Sequence, residues 1–169
     1  EPGSTFKIAA FIEAFESGKL NENDLIDCEN GKFKIGRHTI NDTHELKIVS
    51  AGDVLIHSSN IGTVKIAEMI GKKKLYERSR ILGFGTVTGV DVPDESGGDL
   101  PNPKTWSKLS LPTISFGQGV AVIAPQNQRR HLGLRIANPH AWNRWQPAWH
   151  HMCQPPQPFG LFAWKVIAD

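Results

Sequence analysis

Ser4 and Lys7 are the first residues along the chain that could share chemistry. On a helix, positions i and i+3 lie on one face, so the Ser4 hydroxyl and the Lys7 amine can approach each other. A serine alcohol becomes a useful nucleophile only when a neighbouring base takes its proton. A lysine can be that base once burial or nearby positive charge lowers its pKa. A helix N-terminus adds potential that favours negative charge developing on Ser4. The same residues, Ser4-Thr5-Phe6-Lys7, also describe an N-cap serine followed by a solvated lysine, and S-x-x-K is a common string. A second group, Ser58-Ser59-Asn60, falls between two helical patterns. There, hydroxyl and amide groups can face a cleft, relay a proton and orient a substrate amide. Its plain alternative is the C-cap of one helix followed by the N-cap of the next.

Both groups need elements to position them. Residues 4–17 predict a helix, with Phe6, Ala9, Ala10, Ala14, Phe11 and Phe15 on a broad apolar face. Pro2-Gly3 precedes it as a breaker, and Gly18 stands where a C′ residue would end it. From 24 to 40 the pattern shortens. Asn30-Gly31, between Leu25-Ile26 and Phe33-Ile35, predicts a hairpin turn. Helical spacing returns over 50–57, where Ser50 and Asp53 have capping-box spacing. It continues over 62–70 and 73–82, stopping at Gly83-Phe84-Gly85. Residues 86–106 are rich in Gly, Pro, Asp and Thr and predict an exposed connection. Residues 111–116, closing at Gly117-Gln118-Gly119, fit a strand or the approach to a loop. Val120 then opens an apolar segment, with Pro125 suited to the first turn of a helix.

The composition narrows the class. With 169 residues, 39% hydrophobic and 21% charged, the chain is a soluble, globular type and has room for one domain. A net charge of +2 is too small to argue for nucleic acid. That average hides a split: residues 1–126 carry 14 basic and 16 acidic side chains, and residues 127–169 carry 5 and 1. Beyond Gln126 the helical periods stop. The tail holds Pro139, Pro147, Pro155, Pro156 and Pro158, which forbid a long helix there. Neither Cys28 nor Cys153 sits in a C-x-x-C pair, and at most one disulfide is possible. His150, His151 and Cys153 have no second ligand pair at zinc-site spacing. Lys72-Lys73-Lys74 reads as the solvated start of a helix. No apolar run reaches the roughly 18–20 residues that span a bilayer, and no signal peptide opens the chain. The chain starts at Glu1 without Met. It is therefore expected to be a fragment or a processed product, from which an anchor could have been lost.

Taken together, S-x-x-K opening a helix with S-x-N downstream is the signature of serine acyl-transferases of the penicillin-binding protein and serine β-lactamase superfamily. The surrounding residues are more specific. Glu1-Pro2-Gly3-Ser4-Thr5-Phe6-Lys7 resembles the nucleophile segment of class B penicillin-binding proteins. So do Ile40-Asn41-Asp42-Thr43-His44, His57-Ser58-Ser59-Asn60-Ile61-Gly62 and Leu82-Gly83-Phe84-Gly85. The run Leu109-Ser110-Leu111-Pro112-Thr113-Ile114-Ser115-Phe116-Gly117-Gln118-Gly119 is similar to the cell-division branch of that family. The resemblance covers essentially all of residues 1–126.

The resemblance implies an α+β fold, an antiparallel sheet flanked by helices, with the active site between the helical part and the sheet. The fold is expected to be incomplete here, with the helical part mostly present and part of the sheet missing. Ser4 is implied as the acylated nucleophile and Lys7 as the general base. Ser58 would pass a proton towards the leaving amine, and Asn60 would hold the acyl-amide side chain of the substrate. The Ser4 backbone N–H would supply half of the oxyanion hole. The implied activity is peptidoglycan D,D-transpeptidation. Ser4 attacks a D-Ala-D-Ala stem peptide, the terminal D-Ala leaves, and an amine of a neighbouring strand resolves the acyl-enzyme. β-Lactam antibiotics would acylate the same serine, and other cell-division or cell-wall synthesis proteins are expected partners. No metal, organic cofactor or nucleic acid is implied. The full-length parent would sit at the bacterial cell membrane, with this domain on the periplasmic, extracytoplasmic face.

One family motif is missing from the chain. K-[ST]-G, on the edge strand of the active site, does not occur; Lys104-Thr105-Trp106 lacks the glycine and precedes the Ser-Phe-Gly-Gln-Gly run. That strand normally brings a positive charge for the substrate carboxylate and a second oxyanion N–H. Loss of one such donor costs about 10²–10³ in kcat. The isolated chain is thus expected to fold poorly and turn over negligibly. Residues 1–126 read as a partial transpeptidase domain. Residues 127–169 read as an aberrant tail from a frameshift, truncation or sequencing error. Alternatives within the superfamily are a serine β-lactamase or a D,D-carboxypeptidase. Outside enzymes, the alternative is a penicillin-binding sensor acylated without turnover.

Overall fold

The computed structural model describes residues 1–87 and 94–122. The expected boundary at 126, the tail 127–169, the helix start at Pro125, and His150, His151 and Cys153 all lie outside the described residues.

The apolar face of residues 4–17 produces two joined helical segments: a 3-10 turn, Gly3–Lys7, and α1, Ile8–Glu16. Every residue from Ile8 to Ala14 is buried, as befits a helix apolar nearly all round. Its one acidic buried side chain, Glu13, is paired with Arg78 at 2.9 Å. The remaining helices are α2 (Ala51–Ile56), α3 (Asn60–Ile70), α4 (Lys72–Ile81) and α5 (Ser110–Ser115). Helix α1 packs on α3 and α4, and α5 packs on α3. Phe6, Phe11, Phe84, Ile66 and Leu75 fill the core between them. Each fully buried phenylalanine stabilises the fold by about 1.5–3 kcal/mol.

The capping signals formed as expected. Ser50 Oγ accepts the Asp53 N–H at 3.0 Å and donates to the Asp53 carboxylate at 2.7 Å. Gly18 takes the left-handed C′ position after α1 (φ +67°), with Gly18 N–H bonded to Phe15 O and Lys19 N–H to Ala14 O.

Strand pairing differs from the expectation. Four short strands, β1 (Leu25–Asp27), β2 (Lys32–Ile35), β3 (His38–Asn41) and β4 (Ile48–Ser50), form two antiparallel pairs. β1 pairs with β4, and β2 pairs with β3 through Gly36-Arg37. Asn30-Gly31 is therefore not the turn of a hairpin between β1 and β2. Its tolerance for positive φ is used in another way. Glu29, Asn30 and Gly31 are all left-handed (φ +52°, +52° and +78°) and form a single turn that sends the chain onward to a new partner. The hairpin turn falls instead at Gly36 (φ +61°), first residue of a two-residue loop.

Two further expectations change. Of residues 111–116, read as a strand or the approach to a loop, 111–115 lie in helix α5 and Phe116 is its C-cap. Pro112 sits in its first turn, where backbone N–H groups have no intrahelical partner anyway. Burial of Ile114 against the core overrides its β-branched preference. The segment 86–106 is not wholly exposed. Leu100 and Trp106 are buried, Trp106 Nε1 donates to Pro101 O at 3.0 Å, and Asp99 bridges Ala121.

Candidate active site

The 3-10 turn places Ser4 and Lys7 in register. With three residues per turn, side chains at i and i+3 eclipse each other, more closely than on an α-helix. Ser4 is exposed, whereas Lys7 is 1% exposed. Phe6, between them in sequence, is anchored against Phe84 with ring centroids 4.6 Å apart, so the Leu82-Gly83-Phe84-Gly85 run seats this turn.

The Ser58-Ser59-Asn60 turn follows α2. Ser58 N–H bonds to Leu55 O (3.1 Å) and Ser59 N–H to Val54 O (2.9 Å), a Schellman arrangement with Ser58 in the left-handed C′ place at φ +54°. Glycine fills that place at Gly18; a serine there is strained. This conformation turns both the carbonyl and the hydroxyl of Ser58 to Lys7. Lys7 Nζ donates to Ser58 O, and to Ser58 Oγ at 3.0 Å. Ser59 faces the other way: it is the N-cap of α3, accepting Gly62 N–H at 2.9 Å. Asn60 Nδ2 donates to Asn41 O at 2.9 Å. The structure thus brings Lys7 and Ser58 together. Among the described residues no hydrogen bond joins Ser4 Oγ to Lys7.

Asp42 holds the turn from beneath, a role that sequence spacing did not assign. One carboxylate oxygen accepts the N–H groups of Asn60 (2.5 Å) and Ile61 (3.1 Å), and the other accepts the Ser59 hydroxyl. An anion at the first turn of α3 is also favoured by the helix dipole. The one available signal was the Ile40-Asn41-Asp42-Thr43-His44 string, since an Asp outside a helix often caps one. Removing this carboxylate in Asp42→Ala should lower unfolding free energy by about 2–4 kcal/mol, from lost capping and charge-assisted bonds. Asp42→Asn keeps one acceptor and should lose about half as much. Urea unfolding of both variants checks this order.

Burial sets the electrostatics of Lys7. Desolvation lowers its pKa from 10.5 to about 8, against the opposing attraction of the Asp42 charge, which favours the ammonium. About a tenth of Lys7 is then neutral at pH 7, far more than for a solvated lysine. Cys28 is a buried free thiol under the same turn. Burial raises its pKa, and Ser59 Oγ lies 3.4 Å from its sulfur. Among the described residues, no group of three or more His, Cys, Asp and Glu side chains could hold a metal ion. The chemistry available is that of a hydroxyl, a partly neutral amine and a second hydroxyl bonded to it.

The family model of the penicillin binding protein transpeptidase domain matches residues 1–146, past the expected boundary at 126. The chain is 38% identical over 122 residues to a probable peptidoglycan D,D-transpeptidase, PbpC, of Pseudomonas aeruginosa, covering 72% of this chain and 22% of that protein. It is 30% identical over 129 residues to peptidoglycan D,D-transpeptidase FtsI of Escherichia coli, covering 76% and 22%. Among solved structures, it is similar to the apo transpeptidase domain of Burkholderia pseudomallei penicillin-binding protein 3. The TM-score is 0.75 at 29% identity, over 78% of this chain and 40% of that one. The penicillin-binding protein 3 of Mycobacterium tuberculosis complexed with aztreonam gives a TM-score of 0.69 at 30% identity, over 75% and 29%. The chain spans about a fifth of the length of these two curated relatives.

Proposed function

Because this chain belongs to the penicillin-binding protein transpeptidase family, we propose that the whole protein is a peptidoglycan D,D-transpeptidase acting through a serine acyl-enzyme on Ser4. The observation that carries this is the buried Lys7 amine hydrogen-bonded to Ser58 Oγ at 3.0 Å, one 3-10 turn from Ser4. Neutral Lys7 accepts the Ser4 Oγ proton as Oγ bonds to the carbonyl carbon of the penultimate D-Ala. The Ser4 N–H stabilises the resulting oxyanion. As the C–N bond breaks, Ser58 Oγ gives its proton to the leaving amine and recovers one from the Lys7 ammonium. An amine from a neighbouring strand then attacks the ester. It gives up its proton along the reverse route, and Ser4 Oγ is reprotonated. Asn60 orients the acyl-amide side chain of the donor.

β-Lactams would enter by the first half of this sequence, with the ring C–N bond breaking. The whole protein would act at the extracytoplasmic face of the bacterial cell membrane, alongside other cell-wall synthesis or division proteins. To test the reading, the whole protein is incubated with a fluorescent penicillin and the adduct located by peptide mass spectrometry. The expected result is a lasting adduct on the peptide that carries Ser4. An adduct elsewhere, or none, overturns the assignment. Rapid release of the label would instead mean a β-lactamase. D-Ala release from a stem peptide without cross-linking would mean a carboxypeptidase.

A further inference from the structure

The 116–119 loop, which the mechanism does not use, lies against the residues just before Ser4. Gly3 N–H donates to Gly117 O at 3.3 Å, and Glu1 Oε1 accepts Gly119 N–H at 2.9 Å. Gly117 is the C′ residue of α5: its N–H bonds to Ile114 O, Gln118 N–H bonds to Thr113 O, and φ is +83°. That much resembles Gly18 after α1, which also has positive φ. The surroundings differ. A Cβ on Gly18 would meet no atom within 4 Å. A Cβ on Gly117 would lie 2.1 Å from Gly3 O, 2.7 Å from Gly3 N and 2.8 Å from Gly3 C. These are backbone atoms and cannot swing aside.

The nearest of them belongs to a special peptide unit. Gly3 C=O and Ser4 N–H share one planar group, so displacing the oxygen rotates the N–H. We propose that Gly117 is a positioning residue for acylation: its missing side chain lets the end of α5 close on the Gly3–Ser4 peptide and sets the direction of the Ser4 N–H and Oγ. The proposal rests on the acyl-transfer reading above. It differs from a packing role in what it predicts, since a rotated oxyanion donor slows the bond-forming step while leaving initial penicillin binding intact.

The test measures the acylation rate constant and the pre-acylation Kd for a fluorescent penicillin on the whole protein. Wild type, Gly117→Ala and Gly18→Ala are compared, with a melting curve for each. Gly18→Ala carries the same positive-φ strain without the collision. Expected is a loss of about 10–100-fold in the acylation rate for Gly117→Ala, with Kd changed by less than about twofold. Gly18→Ala should acylate like wild type despite its lower melting temperature. Equal rates for the two variants, or a loss confined to Kd, overturn the proposal. Should Gly117→Ala give no folded transition, Glu1→Ala serves instead. It cuts the Gly119 tie without adding an atom, and should slow acylation about threefold at an unchanged melting temperature; a wild-type rate overturns the proposal. A wild type that takes no label at Ser4 would refute the acyl-transfer reading itself, a distinguishable outcome.

Discussion

Replacing Lys7 by methionine is expected to slow acylation of Ser4 by about 10²–10⁴-fold at pH 7, the usual worth of a positioned base. The same change should leave the fold at least as stable. Methionine is unbranched and fills the same buried channel, and it removes a cation whose burial is penalised. The sign follows from the two pKa values. Folded Lys7 titrates near 8 and its unfolded counterpart near 10.5. Between those values the unfolded chain keeps a proton that the folded chain has released, so stability rises with pH across that window, by up to about 3 kcal/mol. Below pH 8 the wild type carries the full penalty of a buried ammonium. Lys7→Met should lose this pH dependence, and urea unfolding at pH 7 and pH 10 reads it. In the wild type, acylation should rise with pH and level off above about 8, as the neutral base is the active form. In the variant that limb should vanish. A Lys7→Met protein that acylates at the wild-type rate would remove Lys7 from the mechanism.

Ser58→Gly is expected to separate strain from chemistry. Ser58 holds a left-handed conformation that costs a non-glycine residue about 1–2 kcal/mol, and glycine relieves it. Losing the bond from Lys7 Nζ to Ser58 Oγ costs about 1 kcal/mol. The two offset, so unfolding free energy should change by less than about 1 kcal/mol. Ser58→Ala loses the bond and keeps the strain, and should be about 1 kcal/mol less stable than Ser58→Gly. Both variants should acylate about 10²–10⁴-fold more slowly, because the proton path to the leaving nitrogen is broken. A fast Ser58→Gly enzyme would show that Ser58 serves Lys7 only through its carbonyl, which glycine retains.

Much of this site was legible in the sequence because it rests on local rules. The apolar spacing of Phe6, Ala10 and Ala14 defined the buried helix, Ser50 with Asp53 marked the start of α2, and Gly18 marked the end of α1. The strings around Ser4 and Ser58 carried the family resemblance. What was not legible depends on partners distant in sequence. No local signal could say that β1 would choose β4, since Asn30-Gly31 reports only a tolerance for positive φ. Helix α5 was obscured because Thr113 and Ile114 favour strands by themselves, and their helical state comes from packing on α3. Asp42 was visible as part of a string, but its grip on Ser59, Asn60 and Ile61 appears only once β3 ends beside α3.

The nesting of the strand pairs has a consequence for the order of assembly. β2 and β3 meet across two residues, whereas β1 and β4 must find each other across everything between Asp27 and Ile48. Zipping the inner hairpin first roughly halves the slack that the outer pair has to close, which saves about 0.6 kcal/mol of chain entropy. Local closure is also the faster event. Asp42 stands at the end of that hairpin, with its backbone N–H tied to Gly31 O. Closing that hairpin first would put the carboxylate that caps α3 in place before α3 and the Ser58 turn pack against it.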